Sequence, residues 1–155
     1  MNRGKILERV APCSLMCHTC TGYCKGVISE SAGTLLHYLK GIKGFYAKHM
    51  PDAVESYESF EGILSMYAEG GCHGCRSGEH NGCSIEGCFL LECTKEHGVD
   101  FCGECGEFPC EKVSGLFEDV VYRQWLEGNR QIKEKGIEQF WEENRERPHY
   151  EAYIK

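Results

Sequence analysis

The chain has 155 residues, 12 of them cysteine, and carries 17 Lys plus Arg against 24 Asp plus Glu, a formal net charge of −7. Hydrophobic residues make up 41 % with the cysteines counted in, which excludes an ordinary aliphatic-core protein and implies that something besides packing holds the fold. The acidic balance, which tetrathiolate metal sites would deepen, disfavours nucleic-acid binding, and no run reaches the ~18 apolar residues of a membrane-spanning helix.

The opening segment, MNRGKILERVAPC, lacks the apolar stretch of a secretory signal, so the expectation is a cytoplasmic, reducing setting. There, clustered thiols are read as metal ligands rather than as a disulfide framework, and inert buried thiols would be scattered. These cysteines are grouped. A first block over 13–24 holds Cys13, Cys17, Cys20 and Cys24.

A helical segment over 30–70 follows. Ala32, Leu35, Leu36, Leu39, Ile42 and Tyr46 recur at helical spacing up to Pro51, which must end that helix. A second helix is expected from a capping-box-like Asp52 and Glu55, with Val54, Tyr57, Phe60, Leu64 and Tyr67 or Ala68 as its stripe and Gly70-Gly71 as its stop. These aromatics are expected to fill a helix–helix core.

The second cysteine block, over 72–110, holds Cys72, Cys75, Cys83, Cys88, Cys93, Cys102, Cys105 and Cys110. C-terminal helices are expected over 111–147. One follows Pro109 as a first-turn proline and carries Val113, Leu116, Phe117, Val120 and Val121 up to about Trp125. Another is marked by Ile132, Ile137, Phe140 and Trp141, shows a solvated charged face, and is closed by Pro148. Strand-like alternation is almost absent. The expected fold is therefore one small metal-stapled domain over 1–155, mainly α, with irregular cysteine-rich metal-binding loops and at most short β-hairpins.

The chemistry sits in three CxxC pairs, Cys17–Cys20, Cys72–Cys75 and Cys102–Cys105. Two intervening residues let a tight turn aim both sulfurs at one ion while backbone N–H groups face the thiolates. All twelve cysteines are candidate ligands, enough for two or three zinc ions in four-cysteine sites, each contributing folding free energy of order 10 kcal/mol. His18, His73, His80 and His97 lie beside cysteines and could replace some of them, although sulfur is the first choice. The alternative cofactor is an iron–sulfur cluster, because ligation by four cysteines serves that centre as readily. The spacing Cys13-x3-Cys17-x2-Cys20 matches radical enzymes that use S-adenosylmethionine, but those need a larger scaffold and an aromatic where this chain has Thr19.

The runs Ala11–Tyr23, Gly71–Arg76 and Cys88–Cys110, the last ending in Glu-Phe-Pro-Cys, together with the later Gly128-Asn-Arg-Gln-Ile-Lys-Glu-Lys-Gly-Ile-Glu138, resemble the uncharacterised prokaryotic cysteine-rich family called domain of unknown function 3795. The resemblance implies metal ligation by Cys13, Cys17, Cys20, Cys72, Cys75, Cys88, Cys93, Cys102, Cys105 and Cys110, and it supplies no reaction or substrate. Ser14 stands where many members have glycine, and Cys24 and Cys83 are additions to the pattern.

Three function classes follow. A zinc-stapled structural or protein-interaction module is favoured; an iron–sulfur protein for electron transfer or redox sensing is the alternative. A small metalloenzyme with an open metal position is the third, with Glu104, Glu107 and Glu111 as the local candidate bases, but no thioredoxin-like strand pattern accompanies the CxxC pairs. A partner is expected to be another protein, met by the charged final helix or the tail His149–Lys155.

Overall fold

The computed structural model describes residues 1–78, 83 and 85–154. The described chain is mainly helical, and its β pairing consists of two isolated bridges, antiparallel Val10–Met16 and parallel Tyr23–Cys72. The expected hairpins shrink to single bridges because the loops carrying them turn again at once into 3₁₀ turns at Cys17–Thr19 and Cys75–Ser77. No described helix is long and apolar enough to cross a membrane.

Helix α1 (Arg3–Leu7) is capped by the Asn2 side chain, which accepts from the Lys5 N–H, and buries Ile6. Three helices follow the first cysteine block: α2 (Val27–Tyr38), α3 (Ile42–His49) and α4 (Val54–Glu69). The single helix expected through Tyr46 is broken at Gly41, whose φ of +87° is a left-handed turn that glycine adopts without steric cost. Asp52 does not form the expected cap. It lies in the 3₁₀ turn Pro51–Ala53, no side chain caps α4, and the helix begins after it. Gly70, at φ +57°, ends α4 as the sequence implies.

The expected aromatic core between these helices is only partly formed. Ala32, Tyr57 and Leu64 are buried, but Leu35 and Phe60 stand 46 % and 44 % exposed. A hairpin of α2 against α4 is one layer thick, so its second apolar side has no element to cover it.

Helix α5 (Leu90–Glu96) lies within the second cysteine block, and α6 (Asp119–Lys135) and α7 (Ile137–Asn144) close the chain. The helix expected directly after Pro109 is absent at that point. The Phe108–Pro109 bond is cis, a 3₁₀ turn covers Glu111–Val113, and α6 starts only at Asp119. Phe108 and Val113 are core residues of a loop rather than a helix face. The final helix is also divided. Ile132 belongs to α6, Gly136 turns at φ +80°, and Ile137, Phe140 and Trp141 belong to α7.

The main core therefore lies away from the α2–α4 hairpin. One cluster joins Ile6, Val10, Met16, Phe101, Ile132, Ile137, Phe140 and Trp141. The other joins Ala11, Cys13, Leu90, Cys102, Phe108, Val113 and Trp125, with Cys17, Cys75, Cys105 and Cys110 packed against it. Cysteines from both blocks thus share one apolar wall with α6.

Candidate metal centre

Two backbone devices bring the blocks together. At the root of the hairpin, the Cys24 N–H donates to Cys72 O at 3.0 Å and the Cys72 N–H to Gly22 O at 2.9 Å, so the chain leaves and re-enters the thiol-rich region at one point. Under α6, the fully buried Asn129 ties both blocks. Its Nδ2 donates to Cys13 O (3.1 Å), Ser14 Oγ (3.1 Å) and Trp125 O (2.9 Å), and its Oδ1 accepts the Gly103 N–H at 2.7 Å. Gly103 must lack a side chain, since a Cβ there would lie 2.2 Å from Asn129 O.

The sulfurs are placed as acceptors. The N–H two residues on donates to sulfur at Cys20 from Gly22 (3.4 Å), at Cys72 from Gly74 (3.4 Å) and at Cys105 from Glu107 (3.5 Å). Burial raises the pKa of Cys13 and Cys88, with the Leu15 and Leu90 backbone opposing it. The three knuckles at Cys20, Cys72 and Cys105 aim peptide dipoles at sulfur, which suits negatively charged thiolate more than thiol.

The thiols gather in two places. A cleft of about 610 Å³ is lined by Cys13, Cys72, Cys75, Cys83 and Cys88; Cys17 packs against the same apolar cluster as Cys13 and Cys75. Cys24 lies at the edge, with its Sγ 3.4 Å from His73 Nδ1. A separate cavity of about 20 Å³ is lined by Cys93, Cys102, Cys105 and Cys110 with Leu90 and Phe108. Burial pushes the Cys75 and Cys102 thiols up to about 11, and Cys13 and Cys17 are driven upward by the same cause, with neighbouring sulfurs adding to it. Without a cation the low-dielectric wall keeps these groups protonated. Among the described residues no three His, Cys, Asp or Glu side chains converge closely enough to hold an ion as they stand.

Two of the four histidines considered as substitute ligands are engaged elsewhere. His18 packs against Trp141, ring centroids 5.3 Å apart, and burial lowers its pKa. His97 Nδ1 lies 2.8 Å from Cys93 O and, facing a carbonyl, must be the donor there. His73 stays beside Cys24, and His80 lies outside the described residues. Two of the carboxylates considered as bases are occupied. Glu104 accepts from the Asp100 and Phe101 N–H groups and pairs with Arg3, while Glu107 pairs with Lys112 at 3.2 Å.

Three supporting residues escape ligand spacing. Arg76, half-buried, donates to Leu7 O, Val10 O and Asp100 O and lies 5.0 Å over the Phe101 ring, locking the Cys72–Cys75 turn to α1 and to the loop before Cys102. Trp125 walls the smaller cavity's Cys102. Asn129 is hidden in a charged helix, where the signal is a Gly-Asn pair of poor helix propensity at interior positions. Gly128 is there because Ser14 Oγ would lie 2.4 Å from a Cβ. Ser14 itself has φ +67°, a left-handed backbone that glycine would adopt without steric cost. The start of the tail is tied to the first cysteine block: His149 Nδ1 meets Met16 O at 2.8 Å, and the Tyr150 hydroxyl meets Thr21 Oγ1 at 2.7 Å and Cys20 Sγ at 3.6 Å.

A family model described as protein of unknown function (DUF3795) matches residues 9–115 of the chain. No curated protein and no solved structure matches it.

Proposed function

The chain belongs to the DUF3795 family of proteins of unknown function, and on that premise we propose that it is a cysteine-ligated metal protein whose ions staple its loops into a protein-interaction module. The observation that carries this reading is the set of three knuckles in which a peptide N–H two residues on donates to a cysteine sulfur. Structural thiols in an apolar core need no such donors, whereas thiolates bound to a cation do.

Zinc is the preferred ion, since closed tetrahedral tetrathiolate sites need only two turn-borne halves brought together. Much of the ligand-bearing region lacks regular structure, and the metal then supplies cohesion that the thin hairpin and the loops do not. The occupation of Glu104 and Glu107 by Arg3 and Lys112 speaks for a structural over a hydrolytic role. The charge of −7 favours a protein over a nucleic acid as partner.

The test is titration of the protein with a strong chelator, followed by circular dichroism and by restoration with zinc. Loss of helical signal on chelation and its return with zinc is the expected result. A fold indifferent to exhaustive chelation would overturn the stapling role. Iron and sulfide in the purified protein, with oxygen-sensitive colour, would instead select the electron-transfer or sensing reading.

A further inference from the structure

We propose that Cys93, Cys102, Cys105 and Cys110 form a self-contained tetrathiolate site for one divalent cation of zinc's class, separate from the thiols gathered around Cys13 and Cys75. This rests on the metal-binding reading above and divides the cysteines, which spacing alone leaves open.

Size favours one ion. The space of about 20 Å³ among these residues is close to that of one water-sized occupant, ~10–15 Å³, and the four sulfurs lining it, which do not converge as they stand, would close on a single ion there. The other thiol-lined space is about 610 Å³. The two centres therefore differ in capacity as well as position.

The donor set is all sulfur. His97 is the one histidine lining the small cavity, but its Nδ1 is committed to Cys93 O, and its Nε2 lies 3.6 Å from a Glu107 oxygen. Cys93, Cys102, Cys105 and Cys110 line this cavity, whereas Cys13, Cys72, Cys75, Cys83 and Cys88 line the larger cleft. No sulfur is common to these two sets.

A second, independent feature points to an anionic sulfur here. Trp125 is fully buried, and among the described residues its indole N–H has no partner at full hydrogen-bond geometry. Trp125 packs with Cys102 in one apolar cluster, and its indole N–H, a buried donor that is costly to leave unpaired, would be satisfied by a metal-bound sulfur at Cys102. The Glu107 N–H serves Cys105 in the same way. Cys102 is also held in place, its N–H donating to Pro12 O at 3.0 Å. Filling the site exchanges four thiol protons for one dication and leaves a centre of net charge −2, with no change of oxidation state.

The test uses the full chain produced in cobalt-supplemented medium, with cobalt content and visible spectrum measured on wild type, Cys110→Ser, Cys93→His and Cys75→Ser. Expected is the loss of one equivalent in Cys110→Ser, retention of that equivalent in Cys75→Ser, and a full count with an altered tetrahedral spectrum in Cys93→His, where nitrogen replaces one sulfur. The Cys93→His variant keeps the test decisive if Cys110→Ser misfolds. An unchanged spectrum in Cys93→His, or loss of all metal in both serine variants while Cys93→His retains the wild-type spectrum, would overturn the partition. A wild type that binds no metal would overturn the broader reading instead.

Discussion

Removing the Asn129 side chain should do more damage than its distance from any sulfur suggests. In Asn129→Ala the Gly103 N–H loses its acceptor and Cys13 O loses its donor, both in a region closed to water. The helix still serves Trp125 O, and Ser14 Oγ can rotate, so two groups are stranded. At ~1–3 kcal/mol for each stranded group the loss is about 4 kcal/mol. For a chain of this length that corresponds to a melting temperature lower by ~8–16 °C. The assay is thermal denaturation at a fixed excess of zinc, so that ligand linkage is the same for both proteins. Asn129→Asp serves as the control: it keeps the acceptor for Gly103 but sets a carboxylate against the Cys13 carbonyl, and it should not recover wild-type stability. A loss under ~1 kcal/mol in Asn129→Ala would refute the claim that this residue ties the two cysteine blocks.

Gly103→Ala should cost about 3 kcal/mol or more, because its Cβ would meet Asn129 backbone rather than a movable side-chain end; urea denaturation measures it, and a wild-type midpoint would contradict the packing described. Arg76→Lys should be destabilised by ~2–4 kcal/mol despite keeping its charge, since an ammonium cannot serve Leu7 O, Val10 O and Asp100 O together while stacking on Phe101. Recovery of full stability by lysine in the same denaturation assay would show that charge alone matters there. Ser14→Gly should change stability by less than ~1 kcal/mol, because relief of the left-handed backbone offsets loss of the hydrogen bond to Asn129. Calorimetry showing a large shift in either direction would break that balance.

The helical class and the thiol grouping were legible because both depend on local spacing. Periodicity marked α2 and α4, and the CxxC pairs marked the turns. What spacing could not show is where helices break when several apolar residues continue at the right interval. Gly41 and Gly136 each interrupt such a run by turning left-handed, and Phe108 and Val113 satisfy the core from a loop. Nor could it show that the apolar stripe of α4 has too few partners, which leaves Phe60, Ile63 and Met66 exposed. The supporting residues Arg76 and Asn129 act across 66 and 116 positions of chain to Val10 and Cys13. Contacts that distant leave no periodic trace.

The most direct measurement is the metal content per chain, with sulfide and the visible absorption spectrum, on protein purified without oxygen. The account expects two or three zinc ions per chain, no sulfide and no band near ~400 nm. A folded protein free of metal, melting unchanged after chelation, would contradict it.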